Sequence, residues 1–397
     1  MRAGEGDTVS EPPEDTQPFQ PLDQGAVPSS WSPAWQERTV THHIQPWAPG
    51  TQGTQPGVPQ PSPAAPLAVR DHPFVSLTWD GILLIITVAL VGAALATTHG
   101  AHLADILRPT GYLGLIATGF ALSLRTGTPN LAVGAIAGAT GVIGAHLATE
   151  GSSLVTAMAE AVAIATAAGL IAGLVVAGLS IPAWAATLAL AALAESVALG
   201  ISDGQLIALH ASGTYPAGQW IAAFIAVSVA GGALWLVPGI RRALSKTRSA
   251  GEPGRWAGLG PGLGAVIGLA GSSLLAGAGG AAMATYELEA QPSDGLSLTL
   301  IALAATAVGG VSVYGRRAGV LGTALGVIIL QTVVFLVTVH TPSASWYYAA
   351  VGGLIVLGLG VNRVLESIAE ALNRRRAPGA AAPAGYALPG SGPQPGP

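Results

Sequence analysis

Long apolar runs separated by short polar turns occupy this chain from about residue 75 to about residue 362. A bilayer core about 30 Å thick is crossed by roughly 20 apolar residues in a helix. Stretches of that order recur at 79–98, 110–124, 130–148, 152–178, 182–201, 218–238, 258–284, 296–313, 318–340 and 346–362. The pattern predicts an all-α, polytopic membrane protein of about ten transmembrane helices. Only Arg125, Thr126, Gly127, Thr128, Pro129 and Asn130 separate the second run from the third. That spacing predicts either a broken helix at membrane depth or a short loop at the cytoplasmic surface.

The polar remainder divides the chain. Residues 1–72 read as a disordered, Pro-rich cytoplasmic tail: thirteen prolines fall in the first 70 residues, with no apolar periodicity. Trp31, Trp35 and Trp47 are scattered aromatics within it. Residues 73–365 form the transmembrane domain. Its first run begins too far into the chain for an ordinary cleaved signal peptide, so a retained signal-anchor span is expected. Residues 366–397 form a cytoplasmic C-terminal tail that opens as a short helix bearing Arg374, Arg375 and Arg376, then turns to Pro, Gly and Ala.

Charge placement orients the spans. With a cytoplasmic N-terminus and ten crossings, Arg125, the loop from Arg241 to Arg255, the pair Arg316 and Arg317, and both tails all fall inside. Of sixteen basic residues only Arg108 falls outside. Asp105, Glu150, Asp203, Glu287, Glu289 and Asp294 fall on outer loops. This is the partition the positive-inside rule expects, and removing one central span would scramble it. Both termini are therefore predicted to be cytoplasmic.

Composition supports the class and removes others. Hydrophobic residues make up 50% of the chain and charged ones 9%, with a mean hydropathy of +0.56; a soluble domain carries about a quarter charged residues. With no cysteine, disulfides, thiol nucleophiles and thiolate metal sites are excluded. Lys246 is the one lysine, and Ser245 stands before it where a phosphate-cradling loop needs glycine. ATP hydrolysis through such a loop must then belong to another polypeptide. The histidines show no metal-ligand spacing, no nucleophilic triad is legible, and the basic loop lacks the interleaved aromatics of a nucleic-acid site.

Three segments, in order, carry a specific pattern. The first is Thr126, Gly127, Thr128, Pro129, Asn130, Leu131, Ala132, Val133 and Gly134. Ile181, Pro182, Ala183, Trp184 and Thr187 open the fifth span. The third runs from Gly309 and Gly310 through Ser312, Tyr314, Gly315, Arg316, Arg317 and Gly319 to Gly322 and Thr323. This order resembles the permease subunits of ATP-binding-cassette importers for ribose and related simple sugars, a broad family shared with branched-chain amino acid and nucleoside permeases. The resemblance spans roughly residues 100–362. It implies a non-enzymatic transport subunit of the bacterial plasma membrane that works by alternating access, with a simple sugar as first substrate class. The partners implied are ATPase subunits carrying ATP and Mg, an extracytoplasmic solute-binding protein, and a second permease copy or paralogue. The third segment would then be the ATPase-coupling loop, with Gly309 and Gly310 permitting the turn and Arg316 and Arg317 offering charge to the ATPase. Anchoring at the cytoplasmic face is their simpler role. The chain departs from the family at Asn130, usually Asp, at Ala132, usually Ser, and at Glu195, often basic.

The translocation pathway has its own candidates. Thr126, Gly127 and Asn130 sit at the break, where unpaired backbone groups are tolerated only in protein or beside a watery cavity. Glu160 and Glu195 read as the acids within spans, and Gln331 stands mid-span in the ninth. Each has a plainer reading as interfacial or interhelical polar packing. The reading from outside this class is an ion-coupled secondary transporter that depends on Glu160 or Glu195.

Overall fold

Every predicted apolar run folds as a helix. The computed structural model describes residues 73–98, 103–209, 217–240, 259–313 and 321–376. The helices are α1 (Pro73–Thr97), α2 (Leu103–Arg125), α3 (Val133–Thr149), α4 (Leu154–Leu179), α5 (Ala183–Ser202), α6 (Ala217–Leu236), α7 (Leu259–Glu287), α8 (Gly295–Val308), α9 (Gly322–His340) and α10 (Ala344–Arg376). The N-terminal tail, the basic loop at 241–255 and the turn residues Tyr314, Gly315, Arg316, Arg317 and Gly319 lie outside the described residues.

Six of these helices are long and apolar enough to cross a membrane unaided: α1, α4, α5, α7, α9 and α10. Segments of α3, α6 and α8 are apolar but shorter. With Asp105, Arg108, Pro109 and Arg125 in it, α2 is in neither group. The C-terminal boundary expected near residue 365 falls inside a helix, since α10 continues without a break to Arg376.

Side-chain contacts sort the helix ends into two sets. At one end the start of α1 meets the end of α8 through Trp79 and Val308, and the ends of α2 and α6 meet through Arg125 and Gly231. At the other, Tyr112 of α2 bonds Glu287 of α7. There, too, the two-residue strands β1 (Ile207–Ala208) and β2 (Glu289–Ala290) pair antiparallel, with Ile207 opposite Ala290. These strands follow α5 and α7, so both odd-numbered helices finish on one side, as alternate crossing requires.

The centre of the bundle is α7. Of its apolar window 61% is buried, against 17% for α5 and for α10, and it packs most extensively on α4, α2 and α3. Small residues make this possible, because lipid offers no hydrophobic drive between helices and close backbone contact must supply the attraction. A Cβ on Gly280 would fall on the Ala137 carbonyl of α3, and one on Gly173 of α4 would lie 2.7 Å from the Val266 Cα. Hydroxyls inside helices return to their own backbone: Thr110 donates to the Ile106 carbonyl and Thr306 to that of Ala302.

The α3–α7 contact predicts opposite signs for two similar substitutions. Gly280→Ala must push α7 off α3 and should cost about 1–3 kcal/mol. Gly178→Ala, on an open face of α4 with nothing within 4 Å, should be neutral or stabilise by up to about 1 kcal/mol through helix propensity. Thermal unfolding in detergent reads the difference; equal melting temperatures would contradict the close packing.

Candidate functional site

The α2–α3 connection is a buried break in the bundle. The chain leaves α2 at Arg125 and re-enters helix at Val133. Gly127 takes a φ of +74°, which favours glycine. The freed polar groups are then matched one by one. The Asn130 N–H donates to Ser123 Oγ at 3.0 Å, and Asn130 Oδ1 accepts from the Ala132 N–H at 3.0 Å. Asn130 Nδ2 donates to Ser272 Oγ at 2.6 Å and Ser273 Oγ at 3.4 Å, both on α7. The Leu131 N–H donates to Thr187 Oγ1 of α5, and the Thr126 and Thr128 hydroxyls share a 2.8 Å bond. Gly268 of α7 leaves room for that hydroxyl pair. Asn130, Thr126, Ser123, Thr187, Ser272 and Ser273 are fully buried. The break therefore ties α2, α3, α5 and α7 together, and the polar side-chain atoms of Asn130 are all bonded within the protein.

Two short helices start side by side beyond this break. α3 and α8 would span only about 25 Å and 21 Å at 1.5 Å per residue, less than a bilayer core of about 30 Å. The Gly134 N–H donates to Thr299 Oγ1 of α8 at 3.1 Å, and the Thr299 hydroxyl also reaches the Leu131 carbonyl. Gly134 lies against the Gly295 carbonyl with no space for a Cβ. α3 then runs to the outer end and α8 to the inner one. Glu195 of α5 meets this junction: its carboxylate lies against Gly295 at the first turn of α8, where a Cβ would have no space. A negative charge there complements the positive end of the helix, which gives the departure at Glu195 a local physical reason. Just before α8, Asp294 is held above the usual carboxylate range by burial and then by the nearby Glu289 charge.

At the inner end, the two legs of the Gly309–Thr323 turn are gripped from three sides. α8 and α9 approach on Gly309, Gly322 and Gly326, none of which has space for a Cβ. Trp79 Nε1 donates to the Val308 carbonyl at 3.3 Å and its ring lies against Gly310, whose φ is +76°. Asp80 Oδ2 accepts the Leu321 N–H at 3.3 Å. From α10, Asn362 Nδ2 donates to the Ala307 and Val311 carbonyls at 3.1 and 3.2 Å, and Glu366 Oε1 accepts from Ser312 Oγ at 2.5 Å. Thr323 is buried, and its hydroxyl has no hydrogen-bond partner among the described residues.

The structure gathers some candidates and leaves others apart. Thr126, Gly127 and Asn130 form one hub, and Glu195 joins the α3–α8 junction above it. Gln331 is buried in α9, whereas Glu160 is exposed in the second turn of α4. One expectation is corrected: Glu160 and Glu195 are not the only acids within spans, because Asp80 lies inside α1 and is 4% exposed. It lies within the first apolar run, 79–98, and the sequence reading did not count it. Trp79, Asn362 and Glu366 were missed as well, since nothing local marks a residue whose partner lies more than fifty positions away.

Among curated proteins, the chain is similar to the ribose import permease protein RbsC of Haemophilus influenzae, 27% identical over 276 residues, covering 66% of this chain and 83% of that protein. No family model matches the chain, and no solved structure matches it.

Asn130 offers a test of the hub. Asn130→Ala strands the Ala132 N–H and removes the partner of two serines, each buried loss costing about 1–3 kcal/mol. Asn130→Asp keeps the acceptor and lets both serines donate to it, so its melting temperature should fall less. An alanine variant that melts like the parent would show that the break is held by something else.

Proposed function

We infer that this chain, an all-α multi-pass membrane transport protein and not an enzyme, is the permease subunit of an ATP-binding-cassette importer of the ribose and simple-sugar type. It moves a small polar solute, a simple sugar such as ribose, inward by alternating access across a bacterial plasma membrane. The observation that carries this reading is the coincidence of two things. The similarity to a ribose import permease extends over most of that protein's length. The segment that suggested the family from its residues alone is also the one whose two legs are clamped by α1 and α10.

In this reading an ATPase pair, with its ATP and Mg, grips the turn that includes Arg316 and Arg317. The clamped legs carry its displacement into the bundle. An extracytoplasmic binding protein delivers the solute to the outer end, and a second copy or paralogue completes the channel. Thr126 and Asn130 shape the pathway by holding the break, because their polar atoms are spent within the protein. Glu195, half-buried on α5 at the α3–α8 junction, contributes a carboxylate to it, with Gln331 on α9. ATP-driven transport needs a rigid lever, and the legs of the turn provide one.

Reversing the charge of the turn tests the coupling. A correctly inserted Arg316→Glu/Arg317→Glu protein should lose co-purifying ATPase and solute-stimulated hydrolysis by about tenfold or more, equivalent to about 1.4 kcal/mol. Full docking and transport in that variant would refute the assignment. Uptake that survives ATP depletion and collapses with an ionophore would favour an ion-coupled transporter. The solute is read from the melting temperature of the partner binding protein. Ribose should raise it, and a shift with a nucleoside or a branched-chain amino acid alone would move the assignment to those substrates.

A further inference from the structure

Asp80 is costly where it stands. α1 is a peripheral helix with Ile82, Leu84, Ile85 and Val88 exposed and only 28% of its apolar window buried. A carboxylate buried near the end of such a helix forfeits hydration worth several kcal/mol unless it is matched. Simple anchoring of α1 could be met by another apolar side chain. Asp80 is instead matched to the turn itself, where it accepts the Leu321 N–H at 3.3 Å.

The neighbouring residue works on the opposite leg. Trp79 bonds the Val308 carbonyl and lies on Gly310, while Asp80 bonds Leu321 and lies 3.3 Å from the position a Cβ would take on Gly322. Two consecutive residues of α1 therefore hold both legs of one turn.

We propose that Trp79 and Asp80 make α1 a latch on the cytoplasmic turn, so that displacement of the turn is carried into α1, with Asp80 the positioning residue on the α9 leg. This rests on the reading of the turn as the ATPase-coupling loop. It adds that α1, outside the motif, is part of the coupling machinery.

The test uses the full chain reconstituted in vesicles with its ATPase and binding protein, scoring solute moved per ATP hydrolysed. Asp80→Ala removes the bond to the Leu321 N–H and should lower that ratio by about fivefold or more. Asp80→Asn keeps an acceptor for the Leu321 N–H, so it should fall between. Docking is scored separately by cross-linking the ATPase to Val313→Cys, an exposed position in a chain that has no other cysteine. The expected result is unchanged cross-linking with a reduced ratio. A parental ratio in Asp80→Ala with docking intact overturns the latch. If Asp80→Ala is not recovered from the membrane, Trp79→Phe, which removes only the indole N–H bond, decides by the same ratio: a fall supports the latch and a parental value overturns it. Failure of Val313→Cys to cross-link in the otherwise unsubstituted protein refutes the coupling reading, and the latch with it.

Discussion

The constraint on which this structure depends is that no backbone or side-chain polar group can be left facing hydrocarbon. Regular helix meets it automatically for most of the chain. It is met by other means at the α2–α3 break, where helical bonding is interrupted for several residues. Asn130, Thr187, Ser123 and the serine pair on α7 replace the missing partners, and in doing so they fix how four helices meet. Serving as a junction follows from being interrupted, because an interrupted helix inside a bilayer must borrow its partners from other helices.

Close packing and mobility then pull in different directions. The contacts of α7 with α3 and α4 rest on glycines whose space is filled by neighbouring backbone. Such contacts are stiff, because backbone cannot move aside as a flexible side chain can. The inner ends of α8 and α9 share that character at Gly309, Gly322 and Gly326. A turn carried by two helices locked in this way moves as a body. The bonds added by Trp79, Asp80, Asn362 and Glu366 extend that body to α1 and α10. The starts of the two short helices α3 and α8 meet in the same close manner, at Gly134 and Gly295.

Legibility differed sharply between kinds of residue. The ten runs could be read because lipid imposes length and apolarity on each helix separately. The Gly309–Thr323 segment could be read because its glycines, hydroxyl and arginines are contiguous. Glu195 was visible as an oddity, an acid in an apolar run, but its partner is the backbone of Gly295 and carries no side-chain signature. Asp80 carries no local sign of its role, because its partner, the Leu321 N–H, is distant in sequence. Asn130 was visible as a departure at a candidate pathway position, yet its amide is bonded to α7 serines that no motif connects to it.

By itself, then, the sequence determined the class and the approximate limits of the helices among the described residues, and it set expectations for sidedness and for the segment an ATPase would grip. All of these follow from one-dimensional rules, since the bilayer acts on each span through its own composition. The tertiary structure alone decided which polar residues spend their bonds inside the protein, that α3 and α8 begin against each other, and that α1 holds both legs of the turn. These depend on pairings across fifty to more than two hundred residues. In such a pairing a buried polar group is set by what lies opposite it, and composition does not record that.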